Sequence, residues 1–217
     1  MIRALVFDFD GLILDTEGPE FLTWQEIYED FGCTLSFEAW AVSIGTVGGF
    51  DPYAELEAQL GHPVDRDEIR LRRRRRNQEL LANEPIRPGV AEYLDAARRL
   101  GMRIGIASSS PRDWVAGHLS RLGLIERFDC VRCSDDVSRV KPDPELYQSA
   151  LAALSVAPAE SIALEDSPNG VVAAKSAGMY CVAVPNALTG KLPLDHADLQ
   201  LDSLADLPLE DLLKRIA

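Results

Sequence analysis

Apolar residues in this chain follow two rhythms. Five short runs are apolar almost without a break: Ala4–Phe9, Arg103–Ala107, Cys130–Cys133, Ser161–Leu164 and Cys181–Val184. A strand reads this way when both of its faces are covered, which is the situation in a parallel sheet. Before and between the last four runs the spacing lengthens to three and four residues. Pro88–Leu100 carries Val90, Leu94 and Ala97, and Asp113–Leu122 carries Val115, Leu119 and Leu122. Pro144–Leu154 carries Leu146, Tyr147, Ala150, Leu151 and Leu154, and Asn169–Ala177 carries Val171, Val172 and Ala174. These are amphipathic helix spacings. Strands alternating with helices predict an α/β fold, a doubly wound parallel-sheet core with helices on both faces.

One stretch breaks the alternation. From Thr16 to Pro85 no strand-like run occurs, while Phe21, Trp24, Tyr28 and Phe31 recur at helical spacing. Further helix-like pieces lie near Tyr53–Leu60 and Arg66–Ala82. The prediction is a small all-helical domain, residues 16–85, inserted after the first strand of a core made of residues 1–15 and 86–217. Asp15–Pro19 and Glu84–Pro88 would be its hinges. The run Arg72–Arg76 lies in the last predicted helix. Successive helical residues turn by about 100°, so five in a row sweep the circumference. At least one arginine is expected to face the insertion's own core or whatever the insertion covers. Trp24 and Trp40 read as part of that core, and Trp114 as helix packing. His62, His118 and His196 fall outside every motif and read as surface or packing residues.

Composition narrows the function. The 217 residues are 47% hydrophobic and carry a net charge of −13. That balance disfavours nucleic acid and anionic membranes as partners. No stretch reaches the roughly 18 uninterrupted apolar residues of a membrane span, and the N-terminal apolar run already contains aspartates, unlike a signal peptide. The expectation is a soluble, cytoplasmic protein, a monomer or else a dimer. Cys130 and Cys133 form a lone CxxC in a strand-like segment, where residues three apart point to opposite faces. With no second pair at zinc spacing, the four cysteines are expected to be unpaired thiols.

In parallel α/β sheets, ligands bind beyond the carboxyl ends of the strands. The first strand is followed there by Asp8 and Asp10, the second by Ser108, Ser109 and Ser110, and the fourth by Glu165, Asp166 and Ser167; Lys141-Pro142 precedes the third helix of the core. Four carboxylates on one rim repel each other unless a cation is present. A hard divalent ion such as Mg²⁺ suits such an oxygen-rich site. Carboxylates, a cation, a serine hydroxyl and a lysine together suit a phosphoryl group. One aspartate could attack phosphorus, and a second could move the proton. Residues two apart on a strand share a face, so Asp8 and Asp10 could address one centre if the strand continues that far.

The segments DFDGLILDTE, IASSS, KPDPELY and LEDSPNG, in this order and spacing, resemble the four motifs of the haloacid dehalogenase superfamily. The insertion resembles the helical cap of its β-phosphoglucomutase-like subgroup. The resemblance implies a Rossmann-like core with the first strand central. It implies Asp8 as nucleophile and Asp10 as general acid/base. Ser108, with Ser109 beside it, would bind the phosphate, and Lys141 would stabilise both nucleophile and phosphoryl group. Asp8, Asp10 through its backbone carbonyl, and Asp166 would hold Mg²⁺, with Glu165 a ligand directly or through water.

The superfamily hosts several reactions. Asp10 and Asp166 argue against dehalogenation, which needs neither a second aspartate nor a metal. No lysine occurs before Arg99, which argues against a cap lysine of the phosphonate-cleaving kind. A sugar phosphomutase would place a histidine, a lysine and an arginine where ungapped comparison puts Glu20, Ile44 and Gly48. Without those cations a second phosphate would be poorly held, unless one of Arg72–Arg76 compensates. A non-catalytic binding protein on the same fold is the remaining alternative. The expected function is thus a Mg²⁺-dependent phosphatase acting on a small phosphorylated metabolite through an aspartyl-phosphate. The cap would close over the substrate, and the loop Ser43–Phe50 would help select the leaving group.

Overall fold

The computed structural model describes residues 1–46 and 48–216. Val47, in the loop expected to select the leaving group, lies outside the described residues. Six strands form one parallel sheet: β1 (Ala4–Phe7), β2 (Arg103–Ala107), β3 (Cys130–Arg132), β4 (Ser161–Glu165), β5 (Tyr180–Ala183) and β6 (Leu199–Gln200). Their order across the sheet is β3-β2-β1-β4-β5-β6. β1 is therefore central, with Phe7 opposite Ile106 on one side and Leu164 on the other. The order reverses between β1 and β4, and the crevice beyond such a switch point is where α/β sheets bind ligands.

Three helices cover one face of the sheet: α5 (Val90–Arg99), α6 (Arg112–Arg121) and α9 (Leu209–Ile216). They meet the larger strand residues Leu5, Phe7, Ile104, Ile106, Ile162 and Leu164. The other face carries α7 (Glu145–Leu154) and α8 (Pro168–Ser176) over Ala4, Val6, Ala107, Ala163 and Ala183. Small residues let these helices sit close: a Cβ on Gly105 would crowd Cys130 Sγ and Leu154. Cys130 packs on this face and Cys133 on the opposite one, and all four cysteines are free thiols.

Among the described residues four helices fall between β1 and α5: α1 (Glu17–Asp30), α2 (Phe37–Ala41), α3 (Pro52–Leu60) and α4 (Arg66–Leu81). Ser36, Asp51 and Asp65 accept backbone N–H bonds at the starts of the last three, replacing partners the first turn lacks. Phe21, Trp24, Ile27, Tyr28, Trp40 and Leu56 make the cap's own core. Phe31 is not part of it: α1 ends one residue earlier and the ring is 37% exposed. The two connections between cap and core run side by side, since Leu14 and Ile86 pair antiparallel and Arg87 N–H bonds Ile13 O at 2.9 Å. No helix among the described residues is long and apolar enough to cross a membrane.

The expected strand Ala4–Phe9 ends at Phe7. Asp8 still donates its N–H to Leu164 O at 2.9 Å, but Gly11 then turns the chain at φ +80°. α2, β6 and α9 have no counterpart among the expected elements. Two residues are too few for a strand rhythm, and α9 is a short amphipathic helix of eight residues set against α5.

Candidate active site

β1 and β4 deliver acids to the same place because they are neighbours in register. Asp8 follows Phe7, and Glu165 ends β4 one residue beyond Phe7's partner. Between them lies Lys141, 1% exposed, whose Nζ pairs with Asp8 Oδ1 and with Glu165 Oε1, the latter at 2.6 Å. Tyr147, in the first turn of α7, donates its hydroxyl to the same Glu165 oxygen at 2.6 Å. The second Glu165 oxygen accepts from Asp166 N–H at 3.1 Å and Ser167 Oγ at 3.3 Å. Burial alone would pull the Lys141 ammonium down; Asp8 and Glu165 more than offset this and hold it charged. Burial, with repulsion from Glu165 and Asp10, pushes the Asp8 carboxyl up to about 8 against the pull of Lys141.

Asp166 sits beside this pair, buried, with Oδ2 accepting from Asn186 Nδ2 at 3.0 Å. Burial first, then Asp8 and Glu165, push its carboxyl well above the ordinary range. Oxygens of Asp8, Glu165 and Asp166 lie within 4.8 Å of one another. Among the described residues Lys141 is the one cation ion-paired with this buried trio, so an oxygen-seeking divalent cation fits the donor set and the charge. A Cβ on Gly11 would overlap Asp166 Oδ2, so the turn after β1 must be glycine.

Asp10 faces the same cavity but is held by other donors. Oδ1 accepts from Thr16 Oγ1 at 2.9 Å and from Trp114 Nε1 at 2.8 Å. Oδ2 accepts from Ser110 Oγ at 2.6 Å and Ser108 Oγ at 3.3 Å. Trp114, expected to be packing, is thus a site residue. Its place in the first turn of α6, just past the serine cluster, is the signal that could have revealed it. Ser108 is buried and also accepts from Ser110 N–H at 3.0 Å. Ser109 lines the cavity, and its hydroxyl donates to Gly45 O at 3.3 Å.

That last bond belongs to a seam between cap and core. Asn169 Nδ2 donates to Ile44 O at 2.8 Å, and Thr46 Oγ1 donates to Lys141 O. A Cβ on Gly45 would overlap Ser167 Oγ, so this loop can lie down only because position 45 is glycine. Beneath it is a cavity of about 430 Å³ shared by core and cap. Ser43, Gly45 and Thr46 line it, whereas Ile44 is buried in the cap core. Glu17 and Glu20 line it too. Burial, then Asp10 and Glu20, raise the Glu17 carboxyl to about 8. Of the five arginines, Arg73 turns inward: it is 13% exposed, lies 3.7 Å over the Trp24 ring and bonds Glu20. Arg72 and Arg76 pair with Asp30 and Glu26 on the cap surface.

Gly170 opens a local test. A Cβ there would overlap all three terminal atoms of the Glu165 side chain, which is buried and fastened by five donors. Gly170→Ala, although helical, is expected to cost about 2–3 kcal/mol in urea unfolding, as overpacking does. It should also lower turnover through Lys141. Unchanged stability would show that Glu165 has room to move.

The haloacid dehalogenase-like hydrolase family matches residues 5–184. Among curated relatives, YhcW of Bacillus subtilis (strain 168), named a phosphatase only provisionally, is 49% identical over 216 residues, covering 100% of this chain and 98% of its own. Beta-phosphoglucomutase of the same organism is 33% identical, covering 96% and 93%. Among solved structures, a CbbY variant from Rhodobacter sphaeroides in complex with xylulose-(1,5)bisphosphate matches with a TM-score of 0.74 at 30% identity. That match covers 95% of this chain and 96% of that one.

Proposed function

The chain belongs to the haloacid dehalogenase-like hydrolases and is a phosphoric monoester hydrolase, and on that premise we propose that it is a Mg²⁺-dependent phosphatase of a small phosphorylated metabolite. The observation that carries this reading is the buried Asp8–Lys141–Glu165 constellation beside Asp166, with Asp10 held separately over the same cavity.

In the proposed reaction Asp8 attacks phosphorus, the ester oxygen leaves, and an aspartyl-phosphate forms. Asp10 gives its proton to that oxygen and then takes one from the water that hydrolyses the intermediate. Thr16, Trp114 and Ser110 keep its carboxylate aimed while it does so. Lys141 holds Asp8 in place and offsets charge on the phosphoryl oxygens, and Ser108 and Ser109 contact that group. The seam at residues 43–46 keeps bulk water out during transfer. Asp8, the Asp10 carbonyl and Asp166 would hold Mg²⁺. Glu165, whose oxygens already accept from the protein, would act through water. When bound, the ion adds the positive charge that four carboxylates and a phosphoryl group require.

The cap supports hydrolysis over phosphate migration between two sugar positions. Where a mutase needs cations it has Glu20, an inward-buried Ile44 and Gly48. Four free thiols suit a reducing, cytoplasmic setting. The test is a phosphomonoester panel with Mg²⁺ and with chelator. Phosphate release dependent on Mg²⁺ is expected. Phosphate migration on glucose 1-phosphate without net release would replace this reading by the mutase.

Metal removal also has a pH signature. Asp8 and Glu17 ordinarily titrate at 3.8 and 4.5 and rise to about 8 on folding. Between those values the folded state holds more protons than the unfolded one, so stability falls as pH rises. The chelated protein should lose at least roughly 4 °C in thermal midpoint from pH 5 to pH 8, the shift given by about 1–2 kcal/mol at this size. Saturating Mg²⁺ should raise the midpoint at pH 8 and flatten the slope. A midpoint at pH 8 indifferent to Mg²⁺ would argue against the metal site.

A further inference from the structure

The cap side of the cavity has a hydrogen-bonding pattern that the reaction itself does not use. Glu20, Trp40 and Asn77 are part of that wall. Two of them carry buried polar atoms with no partner among the described residues: Trp40 Nε1, a donor, and Asn77 Oδ1, an acceptor. The Asn77 orientation follows from its neighbour, since Nδ2 donates to Glu20 Oε2 at 2.9 Å and leaves the oxygen over. Leaving such atoms unpaired costs roughly 1–3 kcal/mol each, so each calls for a reason. Neither side chain is loose. Trp40 is 7% exposed and packs edge-on against Phe50 and tilted against Phe21. Glu20 is fixed from behind by Arg73, itself seated on Trp24.

Resting on the phosphatase reading, we infer that Trp40, Asn77 and Glu20 form the leaving-group subsite, and that it selects hydroxyl groups. The substrate class is then the monophosphate of a polyhydroxylated chain or ring, a sugar or polyol phosphate without a second phosphate. A hydroxyl both donates and accepts. A hydroxyl placed against this wall can accept from the Trp40 N–H or donate to Asn77 or Glu20. A second phosphate brings only acceptors and negative charge. It would face the Glu20 carboxylate and the Asn77 oxygen, and no lysine, arginine or histidine lines the cavity among the described residues. An ammonium group would serve the acceptors but leave the Trp40 donor unpaired, and Arg73 already balances Glu20. Arg73 therefore does not stand in for a phosphate-binding cation; it holds the acceptor that reads hydroxyls.

The test compares kcat/KM of the full chain with Mg²⁺ on glucitol 6-phosphate, fructose 1,6-bisphosphate and 4-nitrophenyl phosphate. The wild type should prefer glucitol 6-phosphate over the bisphosphate by at least about tenfold. Trp40→Phe removes only the N–H and a little ring area, and Asn77→Ala removes the acceptor. Each should lower the ratio of glucitol 6-phosphate to 4-nitrophenyl phosphate by about five- to tenfold, the effect of losing one hydrogen bond in a buried site. Glu20→Gln should raise the bisphosphate-to-monophosphate ratio by a similar factor. Equal losses on both monoesters, as a loosened cap would give, overturn the subsite while leaving the phosphatase reading intact. So does a wild type that prefers the bisphosphate. Phosphate release from none of the three overturns the phosphatase reading itself, and the subsite with it.

Discussion

Asp8→Asn should abolish phosphate release while leaving the protein folded and, without metal, at least as stable. The amide nearly matches the carboxylate in size and can still accept from Lys141, so the surrounding packing is kept. It lacks the nucleophilic oxygen. Losing a nucleophile costs on the order of 10⁴-fold or more in kcat in enzymes that rely on one, and here nothing adjacent replaces it. Asp10 is tied to Thr16, Trp114, Ser110 and Ser108, and Glu165 is wholly engaged by protein donors. Stability should move the other way. Asp8 is held above its ordinary range chiefly by burial and by Glu165 and Asp10, so at neutral pH folding must protonate a carboxylate that is ionised in the unfolded chain, which is a burden on the fold. The check is phosphate release and acid-quench trapping of phosphoenzyme, run beside thermal unfolding in chelator. Turnover within tenfold of wild type would remove Asp8 from the nucleophile's role.

What the sequence could disclose follows from the range of the forces involved. The alternation of short apolar runs and helical spacing is local, and it located five strands to within two residues at each end. The central position of β1 is a property of pairing between distant segments. No periodicity within Ala4–Phe7 reports that Ile106 and Leu164 will flank it. β6 failed for a different reason: Leu199–Gln200 pairs with Val182–Ala183 at the sheet edge, and its two residues carry no pattern.

The site divides the same way. Asp8, Asp10, Lys141, Glu165 and Asp166 stand in short motifs, so their types and order were readable. Trp114, Tyr147, Asn186 and Asn77 were not, because what matters for them is which atom a side chain reaches in three dimensions. Trp114 differs from any helix-packing tryptophan only in that its N–H meets Asp10. The arginine run shows the limit clearly. Helical geometry required that one of the five face inward, but that it is Arg73, and that its partner is Glu20, depends on how α4 lies against α1.

Lys141→Met should be strongly destabilising, and its cost should depend on pH. The lysine is buried with two carboxylates, and removing one member of a buried ion pair leaves the others uncompensated, at about 3–5 kcal/mol. Methionine fills most of the stem's volume, so the loss is electrostatic rather than a cavity. In wild type the ammonium is held charged well above its ordinary range, by Asp8 and Glu165 against burial, so its own charge is constant from pH 6 to pH 9. The pH dependence of the variant must therefore come from the acids. Without Lys141, Asp8 loses the main influence pulling its carboxyl down and is protonated more readily, as is Asp166 beside it. With or without the lysine Asp8 holds a proton well below pH 8; above it the wild-type carboxyl ionises beside Lys141, whereas in the variant it has no paired cation. Urea unfolding in chelator should thus show a larger loss at pH 9 than at pH 6, and Mg²⁺ at pH 9 should restore part of it. Equal losses at both pH values would mean that Lys141 contributes packing rather than charge. Turnover should fall at every pH, because a folded, metal-restored variant still lacks the cation that orients Asp8 toward phosphorus.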